Sequence, residues 1–474
     1  MPKLRKIILL VFVGGYLGVA PLTILYALGY IFSPSQQTLL PTGLVSLSSE
    51  PSQARVWVNG SPVKEKTPLV LRGLRPGAYL LQVSLPGYHP WQKRFEMKAD
   101  KALRFEKILL FPVAFRPEIL GNFPVTKLWS DSGGKRLVVG EGEKASGLSL
   151  FELEKKEFRP IFSSGPDREA YVDEVLAHPS GDRGVVILRN KEGLRPLLIK
   201  FFDPVQISAL THLIEEPFTQ LEWGAPHENS LFYLKGETLR HLDLEQGALY
   251  LDLPKRVRGF SLYGRRLFVL DGKRRFLELT EKGKIRQILL DEPLKAQLIF
   301  GPDGGEHYSI LFLPRISLFS SLENAIALFL SDKGKLSSSK LPYFLDEGVD
   351  EFAIANSRPR ALYRKGTELW VVDFERERER TFFENGPTPR RIYKGKEAPA
   401  HLLWFYDDRY VLFLEGNRLK VLDFEGEGEA MELLEISSRV REIVLDRRRG
   451  FLYFAHPDRD RLARVKLFEG EGLF

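Results

Sequence analysis

The sequence predicts an all-β protein carried on one N-terminal transmembrane helix: a small β-sandwich first, then a β-propeller of eight blades, with seven as the alternative count. Three observations carry this. Residues 7–32 run for twenty-six positions without a charge. Residues 42–112 alternate apolar and polar side chains between turn dipeptides. Between 123 and 468 a loop followed by an apolar strand recurs eight times.

A bilayer core of about 30 Å takes about 20 apolar residues at a rise of about 1.5 Å each. The segment 7–32 is long enough to span it with some tilt; it carries Ile7, Leu10, Phe12, Leu17, Leu22 and Leu25, with Tyr26 and Tyr30 toward the outer headgroup layer. Lys3, Arg5 and Lys6 precede it and the next charge is Glu50. The positive-inside rule then puts residues 1–6 in the cytoplasm and the domains outside, as a single-pass protein of the plasma membrane. The apolar run exceeds that of a cleaved signal peptide and ends on Tyr30-Ile31-Phe32, so it reads as an uncleaved signal anchor. Gly14 and Gly18 have small-xxx-small spacing, which suits either a weak homodimer through the anchor or the ordinary glycine content of membrane helices. The lipid bilayer is the first expected partner.

At 474 residues and 43% hydrophobic, the chain has room for one small and one large globular domain. It has no cysteine, which excludes disulfides, thiolate metal sites and N-terminal lipidation. The formal charge is +7, but Lys and Arg are interleaved with acids, as in Glu375-Arg376-Glu377-Arg378-Glu379-Arg380. That pattern marks a solvated hairpin better than the concentrated basic face a nucleic acid requires, so no nucleic-acid partner is expected. Weak attraction to an anionic cell-wall polymer is compatible with the balance.

Residues 33–41, with two prolines and two glutamines, read as a linker. The sandwich, 42–112, opens with alternation over Leu44–Ser48, and Val56-Trp57-Val58 runs into Asn59-Gly60, a dipeptide that supplies the positive φ angles of a tight hairpin. Further strands are expected at Leu69–Leu71, Tyr79–Leu85, Trp91–Met97 and Leu103–Leu109, split by Arg75-Pro76-Gly77 and Pro86-Gly87. His89-Pro90-Trp91 is either a binding edge or a cover over the open end of the sheet, the second being favoured. The pieces Ser49-Glu50-Pro51-Ser52-Gln53-Ala54, Val56–Gly60, Thr67-Pro68, Leu74–Tyr79 and Pro86-Gly87-Tyr88 together resemble a PEGA domain, a β-sandwich of exported, surface-associated bacterial and archaeal proteins. The sequence departs from that family at Gln53, where the name-giving motif has glycine.

The propeller, 113–474, is read from its repeats. The loop-strand unit appears as Trp129–Val139, His178–Val186, Pro226–Tyr233, Tyr263–Val269, Phe300–Glu306, Asn356–Tyr363, Tyr406–Leu412 and Asp446–Tyr453. A second strand follows in one recurring form, as Leu148–Leu153, Leu239–Leu244, Leu369–Phe374 and Leu419–Phe424. One four-stranded sheet cannot bury both of its faces, whereas a ring of them buries each against a neighbour. Residues 123–468 give about 43 residues for each of eight units, within the 40–45 of a four-stranded blade. The repeats resemble the WD-repeat-like propellers of the bacterial Tol-system periplasmic protein, which implies the fold alone. The complete order of segments resembles a group of single-pass PEGA proteins from small-genome bacterial lineages, a group without established activity, and this implies architecture and location.

No catalytic, cofactor or metal residue is expected. The nucleophile elbow, zinc-protease, phosphate-loop and calcium-loop patterns are absent from the sequence. Ser337-Ser338-Ser339-Lys340 has Ser-x-x-Lys spacing but follows a turn signal and lacks the helix that chemistry needs. Gly140-x-Gly142-x-x-Ala145 leads into a strand and reads as a hairpin connection. Asp346–Glu351 gathers acids that suit a cation or, better, a wet loop. The candidate partner contact is the apolar connection 314–322, with Ile316, Leu318, Phe319 and Leu322, which either meets a partner or folds back on its own blade. The expected function is a membrane-anchored, extracytoplasmic binding or scaffold protein of the cell envelope, contacting an envelope protein or wall polymer. The rival is a propeller-based hydrolase or lyase using acids such as Asp350 or Asp373.

Overall fold

The structure, a computed structural model, describes residues 13–20, 30–33 and 38–468, apart from 100, 131–134, 143–144, 164–169, 203, 215–216, 225–228, 251–255, 264–265, 274, 281–283, 291–307, 313–326, 332, 340–343, 356, 375–387, 425–428 and 448. The chain forms two compact units, one built on Met1–Phe115 and the other on Arg116–Phe424 and Ala430–Val465. Among the described residues both are all-β apart from one short helix.

That helix corrects the expected anchor. Among the described residues no helix is long and apolar enough to cross a membrane. The helix covers residues 13–20, and Tyr30–Ser33 is a strand paired antiparallel with Thr38–Pro41, Tyr30 opposite Pro41 and Ser33 opposite Thr38. A transmembrane helix reaching Phe32 is therefore overturned, and the single-pass plasma-membrane location with extracytoplasmic domains goes with it. Local chemistry explains the difference. Pro21 has no N–H for the helical ladder, three glycines weaken residues 14–18, and Tyr30-Ile31-Phe32 suits a pleated strand. Leu17 lies on the short helix and is exposed, while Gly14 and Gly18 face open space, with no atom near where a Cβ would stand. Ile7, Leu10, Phe12, Leu22, Leu25 and Tyr26 lie outside the described residues.

The sandwich pairs Leu69–Leu74, Gly43–Glu50 and Ala102–Leu109 in one sheet, with the last two strands parallel. Its second sheet runs Ser61–Pro62, Arg55–Val58, Gly77–Ser84, Trp91–Met97. Inward residues of both sheets, among them Val45, Leu47, Val56, Leu81, Val83, Trp91 and Met97, form one core. Fully burying each such side chain stabilises the fold by roughly 1.5–3 kcal/mol. Trp91 is therefore part of the core rather than a binding edge. Asn59 (φ 50°) and Gly60 (φ 77°) make the expected tight turn, and Asn59 Oδ1 accepts the Leu80 N–H at 2.7 Å. Gln53 holds φ 65° where the motif has glycine. Its neighbour Ala54 is fixed by the fully buried Thr67, whose Oγ1 accepts the Ala54 N–H at 2.9 Å and lies 2.6 Å from Ser49 Oγ.

The second unit is a β-propeller of antiparallel sheets met in chain order. Blade I takes the second half of Glu118–Ser130 with Arg136–Glu141, Gly147–Glu152 and Glu157–Ser163. Blades II to VII begin at Tyr171–Ala177, Gln220–Trp223, Val257–Tyr263, Tyr308–Phe312, Glu351–Ile354 and Pro399–Phe405, each completing four strands. Blade VIII has Ile443–Asp446, Phe451–Ala455 and Arg461–Lys466, and borrows its fourth strand from the start of Glu118–Ser130. Glu118 and Ile119 pair with Arg464 and Ala463, then Val125–Ser130 turns to pair with blade I, so the ring is closed by one long strand shared between first and last blades. The handover falls at Pro124, which has no N–H to give to a continuing ladder.

Apolar side chains on both faces of the blades fill the seams between them. Val138, Leu148 and Leu150 of blade I meet Val172, Val186 and Ile199 of blade II. Leu362, Leu369 and Val371 of blade VI meet Trp404, Val411 and Phe413 of blade VII. Val125, Leu128 and Phe151 meet Tyr453 and Leu462 across the closing seam. At these seams each blade buries its apolar face against its neighbour, which is why the repeat needs the ring.

Candidate functional site at the inner strands of the propeller

The first strand of each blade is the inner one. First strands of neighbouring blades approach each other, whereas an outer fourth strand such as Gln206–Ala209 is exposed along its length. On these inner strands the sequence sets polar side chains between apolar ones, as in Gln220-Leu221-Glu222-Trp223, where Leu221 and Trp223 enter the seam with blade II. The polar partners reach to the opposite neighbour. Gln220 Nε2 donates to Phe260 O at 2.8 Å, and Glu222 accepts the Leu262 N–H at 3.2 Å. Lys127 Nζ donates to Asp173 O at 3.2 Å, and Glu351 accepts the Leu402 N–H at 3.2 Å. Two indoles complete the pattern, Trp223 Nε1 donating to Leu176 O at 2.9 Å and Trp404 Nε1 to Ala353 O at 3.1 Å.

Two inner carboxyls are tuned by this setting. Burial pushes the pKa of Glu222 up to about 7, against the hydrogen bonds it accepts from Gln220 Nε2 and the Leu262 N–H. Burial also raises Glu174, on the inner strand of blade II, with repulsion from Asp173 adding to it and the Lys127 ammonium opposing it. Arg258, on the inner strand of blade IV, keeps its Nε and one Nη buried without a hydrogen-bond partner. Such donors are costly to desolvate and would be relieved by an anionic group. Sequence reasoning passed over Glu174, Glu222 and Arg258; the available signal was a charge placed in a short, otherwise apolar first strand.

The acids singled out from sequence are engaged elsewhere. Asp373 forms a buried pair with Arg360, Nε to Oδ2 at 2.8 Å, between adjacent strands of blade VI. The same device recurs in blade VII, where Arg409 Nη2 meets Asp423 Oδ2 at 2.9 Å. Asp350 accepts the Gly366 N–H at 3.0 Å, and Asp346 takes Tyr363 Oη at 2.8 Å and Lys365 Nζ at 2.6 Å. Burial, with Asp346 beside it, pushes the Tyr363 phenol far up. Ser337 and Ser338 are buried in the strand Leu336–Ser338 instead of standing at a hairpin tip, and Lys340 lies outside the described residues. His178 is buried edge-on against Trp223, ring centroids 4.6 Å apart, and shares Ser180 with Asp182, which the Arg183 guanidinium holds down at about 2. The candidate partner contact Ile316, Leu318, Phe319 and Leu322 lies outside the described residues, as does Glu375–Arg380. Among the described residues no group of His, Asp and Glu is arranged to hold a metal ion.

Residues 42–109 match the PEGA domain. No curated protein sequence matches the chain. Among solved structures, the chain is similar to the β-propeller domain of Myceliophteria thermophila Cps50 (Swd1), at 10% identity and a TM-score of 0.44, covering 74% of this chain and 99% of that one.

Proposed function

We propose that this is a non-catalytic binding or scaffold protein whose propeller offers a rigid surface to a protein partner. A PEGA domain joined to a propeller suits such a role. The observation that carries the reading is the use made of the inner polar groups. Gln220, Glu222, Glu351 and Lys127 are spent on hydrogen bonds between blades, and Asp373 on a buried ion pair, so the groups a hydrolase would aim at a substrate are holding the platform together. Arg258 is half-buried, so its cation is partly open at this surface, and a partner carboxylate is the contact it favours.

Glu174 and Glu222 support a second reading. They stand on the inner strands of neighbouring blades and both keep their protons to unusually high pH, as a general acid would. One experiment separates the two. The full chain is crosslinked in its native cells, the captured protein is purified, and the complex is rebuilt from the two components. The binding reading expects a defined complex that Arg258→Glu abolishes and that Glu174→Gln and Glu222→Gln leave intact. Turnover of glycoside or ester substrates that disappears in Glu174→Gln or Glu222→Gln, with no complex formed, overturns it.

A further inference from the structure

The proposed function makes no use of the outer face of the four-stranded sheet in the sandwich. We infer that it is a binding site for an anionic polysaccharide. Trp57 lies opposite Gln82, and Gln82 opposite Gln92, so one indole and two amides form a single row across three adjacent strands. At a strand spacing of about 4.8 Å the row is about 10 Å long, the scale of two linked sugar rings. Arg55 stands in the row on one side, opposite Ser84, and Arg94 in the row on the other, opposite Leu80. Successive side chains point to opposite faces of a strand, and Val56, Leu81, Val83 and Trp91 fill the core, which places Trp57, Gln82 and Gln92 outside it.

These groups are available. Arg55, Gln92 and Arg94 are exposed, Trp57 and Gln82 are half-buried, and among the described residues none of the five side chains is engaged in a hydrogen bond or ion pair. Charge favours an anion. Residues 42–109 hold eleven Lys and Arg against five Asp and Glu, a net of +6, so nearly all of the chain's +7 excess sits in this one small domain. Whole-chain interleaving of charges hid that concentration.

The arrangement of the row selects a sugar over a nucleic acid. A stacking platform for bases sets several aromatic rings in succession, and this row has one. An amide carries both a donor and an acceptor, which matches a pair of neighbouring sugar hydroxyls, while the indole covers the apolar C–H face of the ring. The flanking guanidiniums then take carboxylate, sulfate or phosphate substituents along the chain.

Binding of the full-length protein to polygalacturonate and to heparin, with neutral dextran and oligothymidylate beside them, tests this. At least one anionic polysaccharide binds, dextran binds at least tenfold more weakly, and Trp57→Ala loses roughly tenfold, about 1.4 kcal/mol. Trp57→Tyr recovers most of that loss, and Arg55→Gln with Arg94→Gln flattens the salt dependence. Thermal midpoints equal to wild type show that each variant is folded; where Trp57→Ala is not, Gln82→Leu with Gln92→Leu replaces it and loses a similar factor. No binding to either anionic polysaccharide, unchanged affinity in the folded variants, or tighter binding of oligothymidylate overturns the site.

Discussion

The indole of Trp404, on the inner strand of blade VII, donates its one N–H to the carbonyl of Ala353 on the inner strand of blade VI, at 3.1 Å. The ring itself is 1% exposed, packed between Leu402, Val411 and Phe424. Apolar packing and a directional bond therefore act on the same seam. Trp404→Phe keeps most of the packing and leaves the Ala353 carbonyl without its donor. The expected loss is about 1–3 kcal/mol, read as a lower urea midpoint with an unchanged slope. An unchanged midpoint would mean that the bond adds nothing to the seam.

The raised carboxyl of Glu222 makes stability depend on pH in a definite direction. Its folded pKa is about 7 against an ordinary 4.5, so between those values the native state holds a proton that the unfolded chain has released. Stability is then lost as pH rises through that window and levels off above it, by at most about 3 kcal/mol for this one group. Glu222→Gln removes the titration. Urea midpoints measured from pH 5 to pH 8 should fall less in this variant than in wild type; parallel curves would show that Glu222 titrates normally.

Gln53 stands at φ 65° with an exposed side chain. A residue with a Cβ is strained there by roughly 1–2 kcal/mol, and glycine is not, although glycine gives back part of the gain through the greater freedom of the unfolded chain. Gln53→Gly is expected to stabilise the protein by about 0.5–1 kcal/mol, seen as a higher thermal midpoint of the transition that reports the sandwich. A lower midpoint would mean that the glutamine side chain contributes more than its backbone costs.

Much of the fold was legible because it rests on local chemistry. Asn59-Gly60 made the turn its φ angles require, and the expected strand Trp91–Met97 matches the observed one. The repeats at His178, Asn356, Tyr406 and Asp446 each lead into a second blade strand, at Arg183–Asn190, Arg360–Lys365, Tyr410–Glu415 and Phe451–Ala455. What depends on distant partners was not legible. Nothing near Glu222 in sequence announces the Leu262 N–H that it meets, and nothing near Trp57 reveals that Gln82 and Gln92 fall into its row. The long uncharged stretch misled for a different reason: counting charges ignores the glycines, the proline and the strand-forming Tyr30-Ile31-Phe32 within it.

Closure of the ring by Glu118–Ser130 has a consequence for how the protein is made. Glu118 and Arg464, joined by a hydrogen bond in the closed ring, stand 346 residues apart. At about 5–20 residues per second, a ribosome takes on the order of tens of seconds to travel from one to the other. Throughout that interval the Glu118 edge of the unfinished ring has bare N–H and C=O groups without the strand that later covers them, the state in which one polypeptide zips onto another. The codons for Arg461–Lys466 therefore decide whether the ring translated before them is sealed.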